Sequence, residues 1–363
     1  MPPEPASNST IQRIAVFLPN WVGDLVMATP TLRALRAKFA PPVQIIGILR
    51  PHLAELLAGT QWLDEMWLFD PRNTGRHFGR LGLIWQMRRR HVDLAVLLTN
   101  SLDTALLARL GGAAQTIGYA RNCRSFLLTK RLYPPRVGGR ILPVPMVDYY
   151  LAIAEALGCS ALSRRLELPI TFDQQQQARV VWRRLGLRSD GRVVAFVIGA
   201  AWGPSKLWPT EYFAQLARRV VDTLDCDVLV VCGPQERQMA RQVVAAAQRL
   251  EVASLADEAI SLGLLKACLQ RCLAAVCTDS GPRHIAAALG KPVLTLFGPT
   301  SPVWVDNPTV EAVNLQLPLD CAGCRRRRCP LGHHRCMRDI LPETVYQKLV
   351  EMLQKLLATR LAA

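Results

Sequence analysis

The chain has 363 residues, of which half are apolar and a fifth are charged. This composition excludes a fibrous or disordered protein. The length is too great for one ordinary hydrophobic core and fits two domains. The formal net charge of +16 would favour nucleic acid, anionic lipid or a phosphorylated substrate as a partner. A solvated basic surface without a specific partner would explain the charge equally well.

No segment predicts export or membrane insertion. The longest apolar runs, such as Leu94–Leu98, are far shorter than the ~20 residues that a spanning helix needs. Residues 1–11 lack the basic-then-apolar order of a signal peptide, and we expect a short frayed extension there. Eleven cysteines without an export signal indicate a reducing, cytoplasmic compartment and no disulfides.

The first half alternates short apolar runs with amphipathic stretches, which predicts parallel strands covered by helices on both faces. The predicted strands are Ile14–Leu18, Val43–Leu49, Glu65–Leu68 and Leu94–Leu98. The predicted helices are Leu25–Phe39, Pro51–Leu57, Leu81–Arg90 and Ser101–Leu110.

The second half restarts the same alternation. The predicted strands are Val193–Ile198, Val228–Val231, Ala274–Cys277 and Val293–Phe297. The predicted helices are Gln174–Leu185, Pro209–Leu224, Gln235–Leu250, Leu262–Arg271, His284–Leu289 and a closing helix from Pro342 to about Leu361. We therefore predict an α/β protein of two Rossmann-like domains, residues 1–168 and 169–363, with ligands in the cleft at the carboxyl ends of the strands.

The strongest functional signal is the segment Thr278–His284, which follows a predicted strand and opens a helix. Free N–H groups at a helix start bind phosphate, and proline suits the first helical position. Asp279, Ser280, Gly281 and His284 are therefore candidates for a diphosphate-binding loop. The same residues would also suit an ordinary capped helix.

Two further loops occupy equivalent places after predicted strands. Lys206, with Ser205 beside it, follows Val193–Ile198 and could neutralise a phosphate, or could be a solvated surface lysine. Asp24 follows the first strand and could cap its helix, or act as a general base. A carboxylate on one side of the cleft could deprotonate the acceptor, while a cation and a phosphate-binding helix start on the other side stabilise a leaving diphosphate. This arrangement suits glycosyl transfer from a diphosphate donor.

These motifs carry a family resemblance over nearly the whole chain. The chain resembles glycosyltransferase family 9, the heptosyltransferases of lipopolysaccharide core synthesis, which have the two-domain GT-B fold. The matching segments are 18–24 with 28–30, 105–113 with 117–119, 206–209, 278–284, 290–293 and 296–302. The form Trp21-Val22-Gly23-Asp24 is more similar to the second heptosyltransferases of the pathway than to the first.

The resemblance implies an inverting enzyme that moves heptose from ADP-heptose to the lipid A-linked inner core. Asp24 matches the family's catalytic base, Lys206 its donor-phosphate lysine, and Glu236 an acidic residue on the nucleoside side. The first domain would bind the anionic acceptor, in peripheral contact with the inner membrane, and the second domain would bind the nucleotide sugar. Catalysis would need no cofactor. Many family members carry two hydroxyl residues before the donor lysine, where this chain has Ala200-Ala201-Trp202 and Ser205 as a substitute.

A cysteine-rich segment, residues 321–336, holds four thiols with two histidines among them. Four thiolates can close a structural zinc site, and unligated thiols are the alternative. The arginines at 325–328 could contact an anionic acceptor or lipid, or form a solvated basic loop. The four candidate ligands are Cys321, Cys324, Cys329 and Cys336.

Two other functions stay open at this point. One is a related GT-B transferase with another nucleotide sugar or acceptor. The other is a metal-bearing nucleic-acid binder built on the cysteine-rich segment, which would leave the three strand-end loops without a purpose. We therefore expect no nucleic-acid partner.

Overall fold

A computed structural model describes residues 11–72 and 79–362. The frayed extension predicted at the N-terminus lies outside these residues, apart from Ile11. No helix in the described ranges is both long and apolar enough to cross a membrane.

The first half of the chain folds around a six-stranded sheet in which all neighbouring strands are parallel. Its strands are β1 (Arg13–Phe17), β2 (Gln44–Leu49), β3 (Glu65–Leu68), β4 (Leu94–Leu97), β5 (Gln115–Tyr119) and β6 (Lys130–Leu132). They lie in the order β3-β2-β1-β4-β5-β6. A small antiparallel hairpin follows, formed by β7 (Arg136–Val137) and β8 (Arg140–Ile141).

Six helices accompany the first sheet within the described residues. They are α1 (Val22–Met27), α2 (Thr29–Lys38), α3 (Ala54–Leu57), α4 (Arg80–Arg89), α5 (Leu102–Leu110) and α6 (Met146–Ala156).

The second half repeats the architecture with a second all-parallel sheet. Its strands are β9 (Val193–Val197), β10 (Asp227–Val231), β11 (Val252–Ser254), β12 (Ala274–Thr278), β13 (Val293–Phe297) and β14 (Ala312–Gln316), in the order β11-β10-β9-β12-β13-β14. Its helices are α7 (Phe172–Arg184), α8 (Thr210–Leu224), α9 (Arg237–Ala247), α10 (Leu262–Arg271), α11 (Gly281–Ala288), α12 (Arg335–Arg338) and α13 (Pro342–Ala362). The domain boundary predicted at residues 168 and 169 falls between α6 and α7 and stays a prediction.

The two faces of each sheet pack into different hydrophobic cores, because successive residues of a strand point to opposite faces. Ile14 and Val16 belong to a large core that also takes in Val193 and Val197 of the second sheet. The other face of the first sheet forms a separate core under α4 and α5. The other face of the second sheet packs under α8, α9 and α13. The shared middle core joins the two halves.

The predicted helix Leu25–Phe39 is in fact two helices, α1 and α2, separated at Ala28. Pro30 has no N–H to donate to the carbonyl of Val26, four residues earlier. The hydroxyl of Thr29 donates to that carbonyl instead, at 2.8 Å. The break ends α1 after six residues and leaves its first turn, which carries Asp24, as a short unit of its own.

Candidate active site

Two helix starts meet at the junction of the two halves. α1 follows β1, and α11 follows β12, so both begin at the carboxyl end of a central strand. A Cβ added to Gly281 would lie 2.7 Å from the Cβ of Val22, and one added to Gly23 would lie 2.7 Å from Cδ2 of His284. Both distances are too short for a side chain, so the close approach depends on glycine at both positions.

Asp24 lies in the first turn of α1, facing this junction. Burial raises the pKa of its carboxyl to about 6, partly offset by a hydrogen bond from the Tyr150 hydroxyl. The charge of Asp279 raises this pKa further, and that of Lys206 lowers it. Asp24 therefore lies within electrostatic reach of the two charged residues of the opposite loops.

Lys206 and Asp279 form a largely buried ion pair in the second half. Nζ of Lys206 donates to Oδ2 of Asp279 at 2.6 Å and to its carbonyl at 2.8 Å. The Thr300 hydroxyl donates to the same carboxylate oxygen at 2.6 Å. Burial acts to raise the pKa of Asp279, but the charge and hydrogen bond of Lys206 and the bond from Thr300 outweigh it and lower the pKa below its ordinary value.

The lysine is held in place by the loop in front of it. Its Nζ lies 5.1 Å from the centroid of the Trp202 ring, a distance at which an ammonium is attracted to an aromatic face. Trp202 thus occupies the stretch where the family resemblance predicts hydroxyl residues.

Ser280 is the N-cap residue of α11, but its hydroxyl forms no capping hydrogen bond with the helix. It is buried and has no hydrogen-bond partner among the described residues. A buried polar atom without a partner needs an explanation, and here it lies at a helix start where N–H groups are also free. This arrangement fits an anion that would accept from both.

His284 is buried in the first turn of α11, against Gly23. Burial and the neighbouring Arg283 charge lower its pKa to about 3. The imidazole is therefore neutral at physiological pH, and it can offer an anion a neutral hydrogen bond but no charge.

Glu236 lies in the loop after β10, at the same edge of the second sheet. Its carboxylate accepts from the backbone N–H of Gly233 at 2.6 Å and lies over Gly199, where an added Cβ would be 2.0 Å from it. The Thr278 hydroxyl donates to the carbonyl of Gly199 at 2.7 Å, so the strand-end loops of β9, β10 and β12 are joined.

Ser205 is placed differently from the other predicted donor residues. Its hydroxyl donates to the carbonyl of Arg326 at 2.6 Å, and its N–H donates to the carbonyl of Arg327 at 3.1 Å. The hydroxyl hydrogen is therefore engaged by the cysteine-rich segment and is not available to a phosphate in this conformation.

The predicted zinc site finds no support in the structure. The four cysteines line one small cavity together with His333 and His334. No group of three or more histidines, cysteines or acidic residues in the described ranges is placed to hold a metal ion, however. The thiols are not equivalent, since Cys336 is buried within α12 whereas Cys324 is exposed.

Sequence reasoning missed two residues of the site. Tyr150 belongs to α6, which we did not predict, and it contacts Asp24 from 126 positions away. Thr300 follows β13, at the same sheet edge as Asp279. Its place in the loop that follows a strand was the signal that could have identified it.

Comparisons with known proteins agree with this geometry. A family model described as glycosyltransferase family 9 (heptosyltransferase) matches residues 80–335. Lipopolysaccharide heptosyltransferase 2 of Escherichia coli K12 is 27% identical over 350 residues, covering 94% of this chain and 98% of the relative. The Salmonella typhimurium protein of the same name is 26% identical over 351 residues, covering 94% and 99%.

Solved structures show the same architecture. The E. coli ADP-heptose lipopolysaccharide heptosyltransferase II superposes with a TM-score of 0.75 at 25% identity, covering 94% of this chain and 99% of that one. A family 9 glycosyltransferase from Veillonella parvula superposes with a TM-score of 0.83 at 25% identity, covering 97% and 100%. The predicted GT-B fold and the predicted family resemblance are both confirmed: the chain is a glycosyltransferase and belongs to glycosyltransferase family 9, the heptosyltransferases.

Proposed function

We propose that the enzyme transfers heptose from ADP-heptose to the inner core of lipopolysaccharide, with inversion at the anomeric carbon. The observation that carries this proposal is the meeting of Asp24 with the pair Lys206–Asp279 and with Ser280 across the junction of the two halves. The names of the heptosyltransferase 2 relatives support the choice of sugar and acceptor.

Asp24 is the general base of the proposed reaction. With a pKa of about 6, the carboxyl is mostly ionised at neutral pH, yet it is more basic than an exposed aspartate and better matched to proton transfer. It takes the proton of the acceptor hydroxyl as the hydroxyl oxygen attacks the anomeric carbon. The bond from that carbon to the diphosphate oxygen breaks in the same step, which inverts the configuration.

The opposite loops receive the leaving ADP. The Ser280 hydroxyl and the N–H groups at the start of α11 supply donors, and the ammonium of Lys206 supplies positive charge. Without a donor, Lys206 is neutralised by Asp279. A bound diphosphate would share that ammonium, and the Thr300 hydrogen bond would keep Asp279 in place. Glu236 lies on the nucleoside side of the site. No step uses a metal ion or a cofactor.

The acceptor determines where the enzyme works. Because the inner core is lipid-linked and anionic, we propose a cytoplasmic enzyme that reaches it by peripheral contact at the cytoplasmic face of the inner membrane. The net charge of +16 favours approach to such a surface.

The test combines one variant with a donor screen. Asp24→Asn keeps the size of the side chain but cannot accept the proton, so we expect turnover of ADP-heptose to fall by about a hundredfold or more while ADP binding is unchanged. Near-normal turnover in this variant would exclude Asp24 as the base. In the screen, comparable turnover of UDP-, GDP- or other ADP-sugars would show that the donor is a different nucleotide sugar.

A further inference from the structure

Two neighbouring helices on the outer side of the first half expose five large apolar side chains. On α4, Leu81 is 82% exposed and Trp85 is 62% exposed. On α5, Leu102, Leu106 and Leu110 are each more than 40% exposed. We define these five residues as the α4–α5 face.

The five side chains form two parallel stripes. Residues four apart lie on one side of a helix, which is the spacing of Leu81 and Trp85 and of the three α5 leucines. The opposite sides of the two helices carry Leu83, Met87 and Leu107, which are buried in the core beneath them. Both stripes therefore point away from the protein.

The two helices lie side by side, so the stripes adjoin. Arg80 pairs with Asp103 at 2.9 Å where the helices begin. Arg88 donates to the carbonyl of Leu110 at 2.7 Å where they end. Bonds at both ends hold α4 and α5 in parallel and join the stripes into one apolar surface.

The surface is bordered by positive charge. The two helices carry four arginines and one acidic residue, Asp103, which is paired with Arg80. Within the described part of the chain, Arg88, Arg89 and Arg109 form no ion pair with a carboxylate. The Arg89 guanidinium lies 5.2 Å from the centroid of the Trp85 ring. Exposed leucine and tryptophan surrounded by arginine is the pattern of a helix that lies in a membrane interface.

The position of this face suits a lipid-linked acceptor. A cavity of 180 Å³ opens at the carboxyl ends of the first sheet, lined among others by Asn20, Arg50, Ser101 and Asp103. Leu102 lies between two of these lining residues. Asn20 belongs to the loop that leads to Asp24. A bilayer against the α4–α5 face would thus lie next to the first-half side of the site, where the family resemblance predicts that the acceptor binds.

We propose that the α4–α5 face docks the enzyme on a bilayer of anionic lipid, with Trp85 and the leucines entering the interface and Arg88, Arg89 and Arg109 contacting lipid phosphates. The inference rests on the proposed function only for the identity of the acceptor. The face itself is argued from exposure, helix pairing and charge.

The experiment is flotation of the full chain with vesicles of phosphatidylethanolamine and phosphatidylglycerol, compared with vesicles of phosphatidylcholine alone. We expect the wild type to float with the anionic vesicles and to bind the neutral ones at least tenfold more weakly. Trp85→Glu combined with Leu106→Glu should abolish flotation. Leu250→Glu, at a residue that is 99% exposed in the second half, is the matched control and should float like the wild type.

A second, milder variant protects the test against misfolding. Leu81→Ser with Trp85→Ser should weaken flotation at least fivefold without changing the thermal unfolding midpoint. Wild-type protein that fails to float, or variants that float as the wild type does, would overturn the proposal. So would a wild-type dimer that the variants convert to monomers, because the face would then bind a second copy of the chain.

Activity separates this inference from the proposed function. With a water-soluble, delipidated acceptor, both variants should turn over ADP-heptose at the wild-type rate, and with acceptor embedded in vesicles they should be at least tenfold slower. Equal loss on both acceptors would contradict the docking role. If no protein turns over ADP-heptose but flotation still depends on Trp85, the proposed function fails and the docking face stands.

Discussion

At the scale of single residues, the raised pKa of Asp24 determines the pH range over which it can act as a base. The carboxylate is the active form, so protonation below about pH 6 removes activity. We expect kcat/KM to be level above this pH and to fall about tenfold per pH unit below it. Initial rates with ADP-heptose, measured across this pH range, will show this acidic limb of the pH–rate profile.

Tyr150→Phe tests the assignment of that limb. The tyrosine hydrogen bond lowers the pKa of Asp24, so its removal should move the limb to higher pH by roughly half a unit to one unit. Tyr149→Phe is the matched control, because the Tyr149 hydroxyl contacts Asn100 instead, at 3.1 Å. A limb that stays in place in Tyr150→Phe would mean that another group titrates.

The residues of the site could be predicted where they follow a strand. Asp24, Lys206 and Asp279 each stand in such a loop, and parallel strands bring these loops to one edge. Tyr150 could not be found this way, since it approaches Asp24 from the side of a helix far away in sequence. The hydrogen bond of Ser205 was equally hidden, because it depends on how the cysteine-rich segment folds back.

At the scale of elements, the contact between α1 and α11 depends on the absence of side chains at two glycines. Gly281→Ala places a methyl group 2.7 Å from Val22 Cβ, so the two helix starts must separate. We expect a stability loss of about 1–3 kcal/mol and at least a tenfold loss of turnover, measured by urea unfolding and by ADP release.

A second change should relieve that clash. Val22→Gly removes the two atoms nearest the new side chain, Cβ at 2.7 Å and Cγ1 at 3.0 Å, so the double variant Val22→Gly/Gly281→Ala should recover most of the lost turnover. If the double variant is as inactive as Gly281→Ala alone, the spacing of the helix starts is not what limits the reaction.

The cysteine-rich segment supports the loop that carries Lys206. His334 Nε2 lies 2.7 Å from the Ser205 carbonyl, and Ser205 is itself bonded to the carbonyls of Arg326 and Arg327. His334→Ala should loosen this loop and raise the KM for ADP-heptose severalfold, with a smaller change in kcat. His333→Ala is the control, since its ring contacts the N–H of Arg335 and not the loop. Equal effects of both variants would rule out a specific support by His334.

The innermost strands of each sheet were easier to predict than several of those further out. β1, β4, β9 and β12 are continuous apolar runs because both of their faces are buried, and such runs are readable in the sequence. β6 and β14 lie at sheet edges and are partly exposed, so their patterns are weaker. β5 was missed because Gln115 and Gly118 interrupt its apolar run.

At the scale of the whole molecule, the two halves share a core and also a buried polar contact. Lys266 of α10 is fully buried and donates to the carbonyls of Leu56, Glu55 and Ala58 at 3.1 to 3.4 Å. These carbonyls lie at the end of α3 in the other half. The Glu55 carboxylate accepts in return from the N–H of Gly263 at 2.9 Å. The junction that forms the active site is therefore tied by α3 and α10 as well as by the two helix starts.

This contact predicts a pH dependence of stability with a definite sign. Burial lowers the pKa of Lys266 to about 8, from an ordinary value of 10.5. Between these two values the unfolded chain binds more protons than the folded one, so the free energy of unfolding should rise with pH in this window. For a shift of this size the rise is at most a few kcal/mol. Lys266→Met removes the titrating group and should abolish the rise, while Lys38→Met, at an exposed lysine, should retain it. Urea midpoints of the three proteins, measured from pH 7 to about pH 10, test this prediction. Parallel curves for wild type and Lys266→Met would show that this lysine keeps its ordinary pKa. The contact between the two halves would then not depend on its charge.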